Sequence, residues 1–329
     1  MSRVVVIFTG GTISMRHDPV LGGNVPVLDG EAILRQAPGL AELADVVALD
    51  LGRTPASHFS FEQLFEVARA IRSAAAHPET DGIVVVQGTD VLEETAFFWD
   101  LILDVRVPVV VTGAMRSASD PEYDGPTNLR QAVMVALDRR FRGEGVVTCL
   151  DAAVHAADDV TKTHATALDT FQSLNDGPLA SIGETGIEVL RQRGLRRRVA
   201  AATAAPDVRL ITAHVAMDGS IIEALDHVGV AGLVVEGTGS GNTSGLLLAA
   251  SQTLMERGVP VVLATRCAAG EAGTAYAFPG GGATWVKAGA MLAGTLSGPK
   301  ARIALALGIG AGLERPELAA LLAGPRRTA

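Results

Sequence analysis

Short uninterrupted apolar runs recur along the first half of the chain, at residues 4–8, 46–49, 82–86, 107–112 and 145–150. Those at 4–8, 82–86 and 107–112 predict strands buried on both faces, as in a parallel sheet, and those at 46–49 and 145–150 predict further strands. Between them the apolar spacing changes to a helical one. Phe61, Leu64, Phe65, Ala68 and Ile71 form one face, and Ser60 with Gln63 supplies a capping-box start. Asp90 and Glu93 repeat the cap spacing ahead of Phe97, Phe98, Leu101 and Ile102, and further helices are predicted from Glu31 and over 128–137. Strands alternating with helices predict an α/β fold with a doubly wound, mostly parallel sheet.

The second half repeats the pattern on a smaller scale, with strands at 208–212, 232–235 and 260–264 and helices at 244–257 and 316–322. The expected organisation is therefore two domains. A larger N-terminal α/β domain (residues 1–190) carries the main site residues, a linker covers 191–207, and a smaller C-terminal α/β domain covers 208–329. Five arginines between Arg191 and Arg198 read as a solvated connection. The terminal Arg326-Arg327-Thr328-Ala329 is expected to fray.

Composition narrows the function classes. Of 329 residues, 48% are hydrophobic and 19% charged, which is globular, and a net charge of −9 argues against a nucleic-acid or anionic-membrane partner. The two cysteines, Cys149 and Cys267, have no metal-ligand spacing, so neither a disulfide framework nor a zinc site is expected; Cys149 lies in an apolar run and reads as a buried thiol. No apolar run approaches the ~18 residues of a membrane span, and Arg3 passes directly into a strand without a signal peptide. The reading is a soluble, cytoplasmic protein.

The candidate chemistry sits in the turns. Parallel topology places Thr12, Ser57, Thr89-Asp90 and Met115 at the carboxyl ends of neighbouring strands, where open α/β sheets bind ligands. Gly10-Gly11 lets the backbone turn sharply and approach a ligand closely. Thr12 then has three readings: a helix cap, part of a phosphate cradle, or a nucleophile. Neither GxGxxG nor a Walker lysine accompanies it, so both nucleotide fingerprints fail. Asp90 on its own is a helix cap. What changes the picture is Lys162, the sole lysine before Lys287. A threonine hydroxyl needs a neighbouring base to act as a nucleophile, and a lysine partly removed from water can accept a proton. Thr89, Lys162 and Asp90 make such a relay, with backbone N–H groups near Gly11 and Gly88 or Ala114 to stabilise an oxyanion. Residues 15–29, rich in glycine, proline, aspartate and asparagine, read as a long loop serving as a lid.

At these residues the chain resembles the bacterial-type L-asparaginase and glutaminase-asparaginase family. The matching pieces are Thr9-Gly10-Gly11-Thr12-Ile13, Gln87-Gly88-Thr89-Asp90, Gly113-Ala114-Met115-Arg116, Asp124-Gly125-Pro126 with Asn128-Leu129, Asp159-Val160-Thr161-Lys162-Thr163 and Gly298-Pro299-Lys300-Ala301-Arg302. They run in the family's order over essentially the whole chain. The resemblance implies an amidohydrolase that releases ammonia from asparagine, with Thr12 attacking the amide carbonyl and Thr89 and Lys162 relaying protons. It also implies that Asp90 binds the substrate α-amino group and that Asn242 reaches the site of a neighbouring subunit. A homotetramer built as a dimer of dimers follows, with no metal or organic cofactor. Other outcomes are a hydrolase of a related amide (glutamine, D-asparagine or another small amide), a non-hydrolytic amino-acid sensor, an amidotransferase subunit, and a nucleotide-binding enzyme that the absent fingerprints disfavour.

Three departures stand out. Residues 15–29 contain no tyrosine, where the family has one on Thr12, and the glycine-rich stretch at 280–284 lacks that tyrosine's acidic partner. Arg16, His17, Asp18, Tyr123 and Tyr276 are the candidates for orienting Thr12 instead. The family's carboxylate-binding serine falls on Ala56 in one register and on Ser57 after a one-residue shift; Ser57 is taken as the substrate contact, with His58 beside it.

Overall fold

In the computed structural model, which describes residues 2–324, the first-half apolar runs become neighbouring strands of one sheet. In chain order the strands are β1 (Arg3–Phe8), β2 (Met15–Asp18), β3 (Gly23–Pro26), β4 (Asp45–Asp50), β5 (Thr80–Val86), β6 (Val109–Thr112), β7 (Val146–Leu150), β8 (Ala153–Ala156), β9 (Val160–Lys162), β10 (Phe171–Ser173), β11 (Ala180–Gly183) and β12 (Gly186–Val189). The large sheet has the order β12-β11-β8-β7-β6-β5-β1-β4. Its β4-β1-β5-β6-β7 portion is parallel, and β8, β11 and β12 extend it in antiparallel fashion. From β1 the chain goes to β4 on one side, and from β5 to β6 on the other. The order therefore reverses between β1 and β5, which makes the crevice at their carboxyl ends the ligand position of this sheet.

Period-two alternation sends Val4, Val6 and Phe8 to one face, where they pack with Val84, Val86 and the helix Gly125–Leu137. The helices Phe61–Ala76 and Leu92–Ile102 pack on each other through Phe61, Phe65 and Phe98 and through Trp99 Nε1, which donates to the Leu64 carbonyl at 2.9 Å. Each fully buried valine or leucine of this core contributes roughly 1.5–3 kcal/mol. The capping box at Ser60 and Gln63 is present. Cys149 is buried, and burial pushes its thiol up to about 12.

Several expectations are corrected. Residues 15–29 are not an irregular loop: β2 and β3 pair as a hairpin, and the Asp18 carboxylate accepts from the Val20 and Leu21 N–H groups in its turn. The strand expected at 107 begins at Val109, because Pro108 has no N–H to offer the ladder. The antiparallel end had no counterpart in the sequence reading. Asp151 and Ala152 both adopt positive φ (47° and 58°) in a two-residue hairpin between β7 and β8. Asn128 and Gln131 hold that turn by accepting from the Asp151 and Ala152 N–H groups.

The chain divides into two units, one ending at Gly194 and the other beginning at Leu195. The solvated reading of the arginine run fails at Arg193. Its guanidinium is buried, donating to Asp100 at 2.6 and 3.0 Å and to Asp158 at 2.7 Å. Burial opposes that charge, and the two facing carboxylates outweigh it, holding the guanidinium firmly protonated.

In the second unit β13 (Val208–Thr212), β14 (Gly232–Gly237), β15 (Val261–Thr265) and β16 (Met291–Leu292) form a four-stranded parallel sheet. The helices Gly245–Glu256 and Arg315–Ala323 fall where expected. Those at Ser220–Val228, Gly282–Ala288 and Gly298–Gly310 were not anticipated. The Arg326–Ala329 stretch lies outside the described residues.

Candidate active site

Four strand-end turns interlock at the carboxyl edge of β4, β1, β5 and β6. Gly10 and Gly11 have φ of +109° and +97°. A Cβ on Gly11 would lie 2.2 Å from the Gly88 nitrogen, so only glycine lets the β1 and β5 turns touch backbone to backbone. A Cβ on Gly88 would meet the Ala56 methyl at 2.9 Å, and one on Gly113 would meet the Gln87 carbonyl oxygen at 2.5 Å and the Thr89 methyl at 3.2 Å. The Thr89 methyl is thus packed towards the β6 turn, which orients its hydroxyl.

Thr12 does not cap a helix. It opens a single 3-10 turn, Thr12–Ser14, whose cap position is Gly11. Both the Ser14 N–H and the Ser14 hydroxyl donate to the Gly11 carbonyl, at 2.9 and 2.7 Å. Among the described residues the Thr12 hydroxyl has no hydrogen-bond partner. Asp90 does not cap a helix either: the helix begins one residue late, at Leu92, with Val91 in the cap position and no side-chain cap. The Asp90 carboxylate faces Lys162 instead, at 3.6 Å, and Lys162 Nζ donates to Thr89 Oγ1 at 3.0 Å. Lys162 sits at the end of β9, paired with Phe171 of β10, and its side chain is only 14% exposed whereas Asp90 is 68% exposed. A cation thus emerges from a mostly buried stem onto a hydroxyl, with its carboxylate partner open to solvent.

The β6 turn is held by Asp124, whose carboxylate accepts from the Met115 and Arg116 N–H groups and from Asn128 Nδ2. Asn128 Nδ2 also donates to the Gly113 carbonyl. Ala114, next to that carbonyl, is fully buried. Asp124 and Asn128 are functional-site supports whose role sequence reasoning missed; the signal was their spacing of four residues at a helix start just after the Gly113–Arg116 turn.

The remaining candidates divide. Ser57 is exposed on the turn Ala56–His58, and Ala56 is the residue turned inward against Gly88. Tyr276 is in the second unit, half exposed and 5.8 Å from the Phe278 ring. Arg16, His17 and Asp18 lie on the hairpin. Tyr123 is turned inward, its hydroxyl donating to the Ile13 carbonyl at 2.7 Å. Asn242 belongs to the second unit, in the turn after β14, where its backbone bridges Thr238 and its buried Oδ1 has no partner among the described residues. No group of three His, Cys, Asp or Glu side chains among the described residues is placed to hold a metal ion.

The sheet edge thus gathers two threonine turns and a lysine–carboxylate pair, residue types that acyl-transfer chemistry uses elsewhere. Comparison with known proteins places the chain more narrowly. Residues 3–194 match the family model "Asparaginase, N-terminal" and residues 207–322 match "Glutaminase/Asparaginase C-terminal domain". The chain is 34% identical to a probable L-asparaginase of Deinococcus radiodurans, over 97% of this chain and 96% of that one. It is 31% identical to the L-asparaginase of Bacillus licheniformis, over 93% and 94%. The crystal structure of a probable cytoplasmic L-asparaginase from Campylobacter jejuni superimposes with a TM-score of 0.87 at 26% identity, covering 98% of this chain and 99% of that one. The chain belongs to the asparaginase family.

Proposed function

We propose that this protein hydrolyses the side-chain amide of L-asparagine to aspartate and ammonia. The observation that carries the reading is the 3.0 Å bond from Lys162 Nζ to Thr89 Oγ1, made at the sheet edge that also presents the unpartnered Thr12 hydroxyl. Thr12 Oγ1 attacks the amide carbon, and its proton is relayed by way of Thr89 and Lys162. The oxyanion is met by backbone N–H groups at Gly11, Gly88 and Ala114. The C–N bond breaks as the leaving nitrogen takes up that proton, ammonia departs, and water delivered past Thr89 hydrolyses the ester on Thr12. Asp90 holds the substrate ammonium. Ser57 contacts the substrate at the rim, and Asn242 joins it from a neighbouring copy. We also propose a homotetramer arranged as a dimer of dimers.

A second reading rests on the same lysine: because Lys162 engages Thr89 directly, Thr89 is the first nucleophile and Thr12 the helper. Peptide mapping of a trapped acyl-enzyme separates the two. Ammonia release from L-Asn, D-Asn, L-Gln and a small amide panel tests the function itself, and a tight complex with no release from any amide would favour a sensor. Light scattering tests the tetramer. We propose a cytoplasmic location, as the Campylobacter relative's name has it, while a relative from Haemophilus influenzae is named periplasmic. Among the described residues no helix is long and apolar enough to cross a membrane.

A further inference from the structure

Thr12 is held from two sides, and the second hold comes from far along the chain. On its N-terminal side Gly11 is wedged against Gly88. On its C-terminal side the Ile13 carbonyl accepts the Tyr123 hydroxyl, 110 residues away in sequence. Tyr123 lies on a strap, residues 117–124, that ties down the hairpin base at two further points. The Ala118 N–H donates to the Met15 carbonyl at 2.9 Å, and the Ser119 hydroxyl accepts from the His17 N–H at 3.0 Å. The strap ends in Asp124, whose carboxylate fixes the Met115–Arg116 turn. Burial, and then the neighbouring Asp124 carboxylate, keep the phenol above its ordinary titration range, so it remains a donor. The ring lies so close to Gly125 that a Cβ there would come within 2.6 Å of the phenol oxygen.

We infer that Tyr123 is the positioning residue of the Thr12 turn, fixing the Ile13–Ser14 peptide plane so that the Thr12 hydroxyl is presented to the amide carbon. The inference rests on the asparaginase reading above. A 3-10 turn of three residues has few bonds of its own, and the Ile13 carbonyl points at the strap rather than into the turn. With Gly11 and Ile13 both fixed, the β-branched Thr12 side chain has little rotational freedom left. Loss of the phenol lets the plane rotate, which moves the nucleophile without touching the substrate pocket.

The test is a double-mutant cycle of Tyr123→Phe and Gly125→Ala, measured for kcat, KM and melting temperature. Tyr123→Phe removes the donor and keeps the ring. Gly125→Ala keeps the phenol but displaces it, while adding a residue that favours helix. Each single variant is expected to lower kcat about tenfold with KM changed less than about twofold, since a small misplacement of a reacting group falls on the rate. The double variant is expected to be no worse than either single one. Ser119→Ala, which frees His17 only, is expected to leave kcat within about twofold. Unchanged kcat in Tyr123→Phe, a rise in KM alone, or additive losses in the double variant would each overturn the inference. Should Tyr123→Phe fail to fold, Gly125→Ala alone decides. A wild-type protein that releases ammonia from no amide marks failure of the asparaginase reading instead.

Discussion

Two cationic clusters of the first unit use the same parts to opposite ends. At Lys162 a single cation meets one hydroxyl and one carboxylate, and that carboxylate is mostly exposed. At Arg193 a guanidinium is enclosed by Asp100 and Asp158, with side-chain exposures of 4% for the arginine and 1% for Asp100, and it donates also to the Glu144 carbonyl. Asp100 in turn accepts from the Val146 N–H at the start of β7. A planar fork whose two terminal nitrogens are engaged by two carboxylates and a carbonyl, and which is itself almost wholly buried, is a structural anchor closed to a ligand. A lysine with one hydroxyl and one exposed carboxylate beside it keeps a face open to a ligand. The difference lies in burial and access rather than in residue type. One cluster is expected to govern turnover and the other the fold.

Thr12→Ala breaks the open side most severely. A loss in kcat on the order of 10³-fold or more is expected, about 4 kcal/mol of transition-state stabilisation, with the melting temperature nearly unchanged; full activity would remove Thr12 from the chemistry. Arg193→Met breaks the closed side. It strands Asp100 without its cation and is expected to cost about 3–5 kcal/mol in denaturant unfolding, while kcat of the folded fraction stays near wild type. A large fall in kcat with unaltered stability would erase the distinction between the clusters. Lys162→Met sharpens it from the other direction: kcat is expected to drop about 10²-fold or more, with stability shifted by no more than about 1 kcal/mol because its carboxylate partner is exposed.

The smallest effect concerns a third buried group. His155 Nδ1 lies 3.0 Å from the Ser173 hydroxyl, and burial lowers its pKa from 6.5 to about 4, with Asp159 opposing and Arg191 adding to the shift. The unfolded chain therefore binds the proton more readily than the folded one. Stability is full above about pH 6.5, falls as pH drops towards 4, and loses about 2 kcal/mol between pH 7 and pH 5 from this residue. A His155→Asn variant with the same pH slope as wild type in urea titrations would show that the loss originates elsewhere.

Much of this architecture was legible from residue order alone, because it rests on short-range physics. Short continuous apolar runs bounded by turn residues read as strands, and their alternation with amphipathic helices implies a parallel sheet whose turns share one edge. That placed Thr12, Ser57, Thr89-Asp90 and Met115 at one edge, whereas Lys162 was joined to them by the chemistry a threonine relay needs and by the family resemblance. The same local reasoning misjudged Asp90 and Arg193. Asp90 has cap spacing, yet a lysine 72 residues later takes its carboxylate and the helix starts without it. Arg193 lies in a charge run that resembles solvated linker, yet Asp100 and Asp158 enclose it. The hairpin at Asp151-Ala152 lacks the usual glycine and is held in its left-handed conformation by Asn128 and Gln131 from another element. Strand identity, sheet polarity and the edge bearing the site follow from periodicity, a property of neighbours in sequence. The partners of each charge and the anchoring of Thr12 through Tyr123 arise only when distant segments close together, since an unpaired buried polar group is costly enough to override local preference.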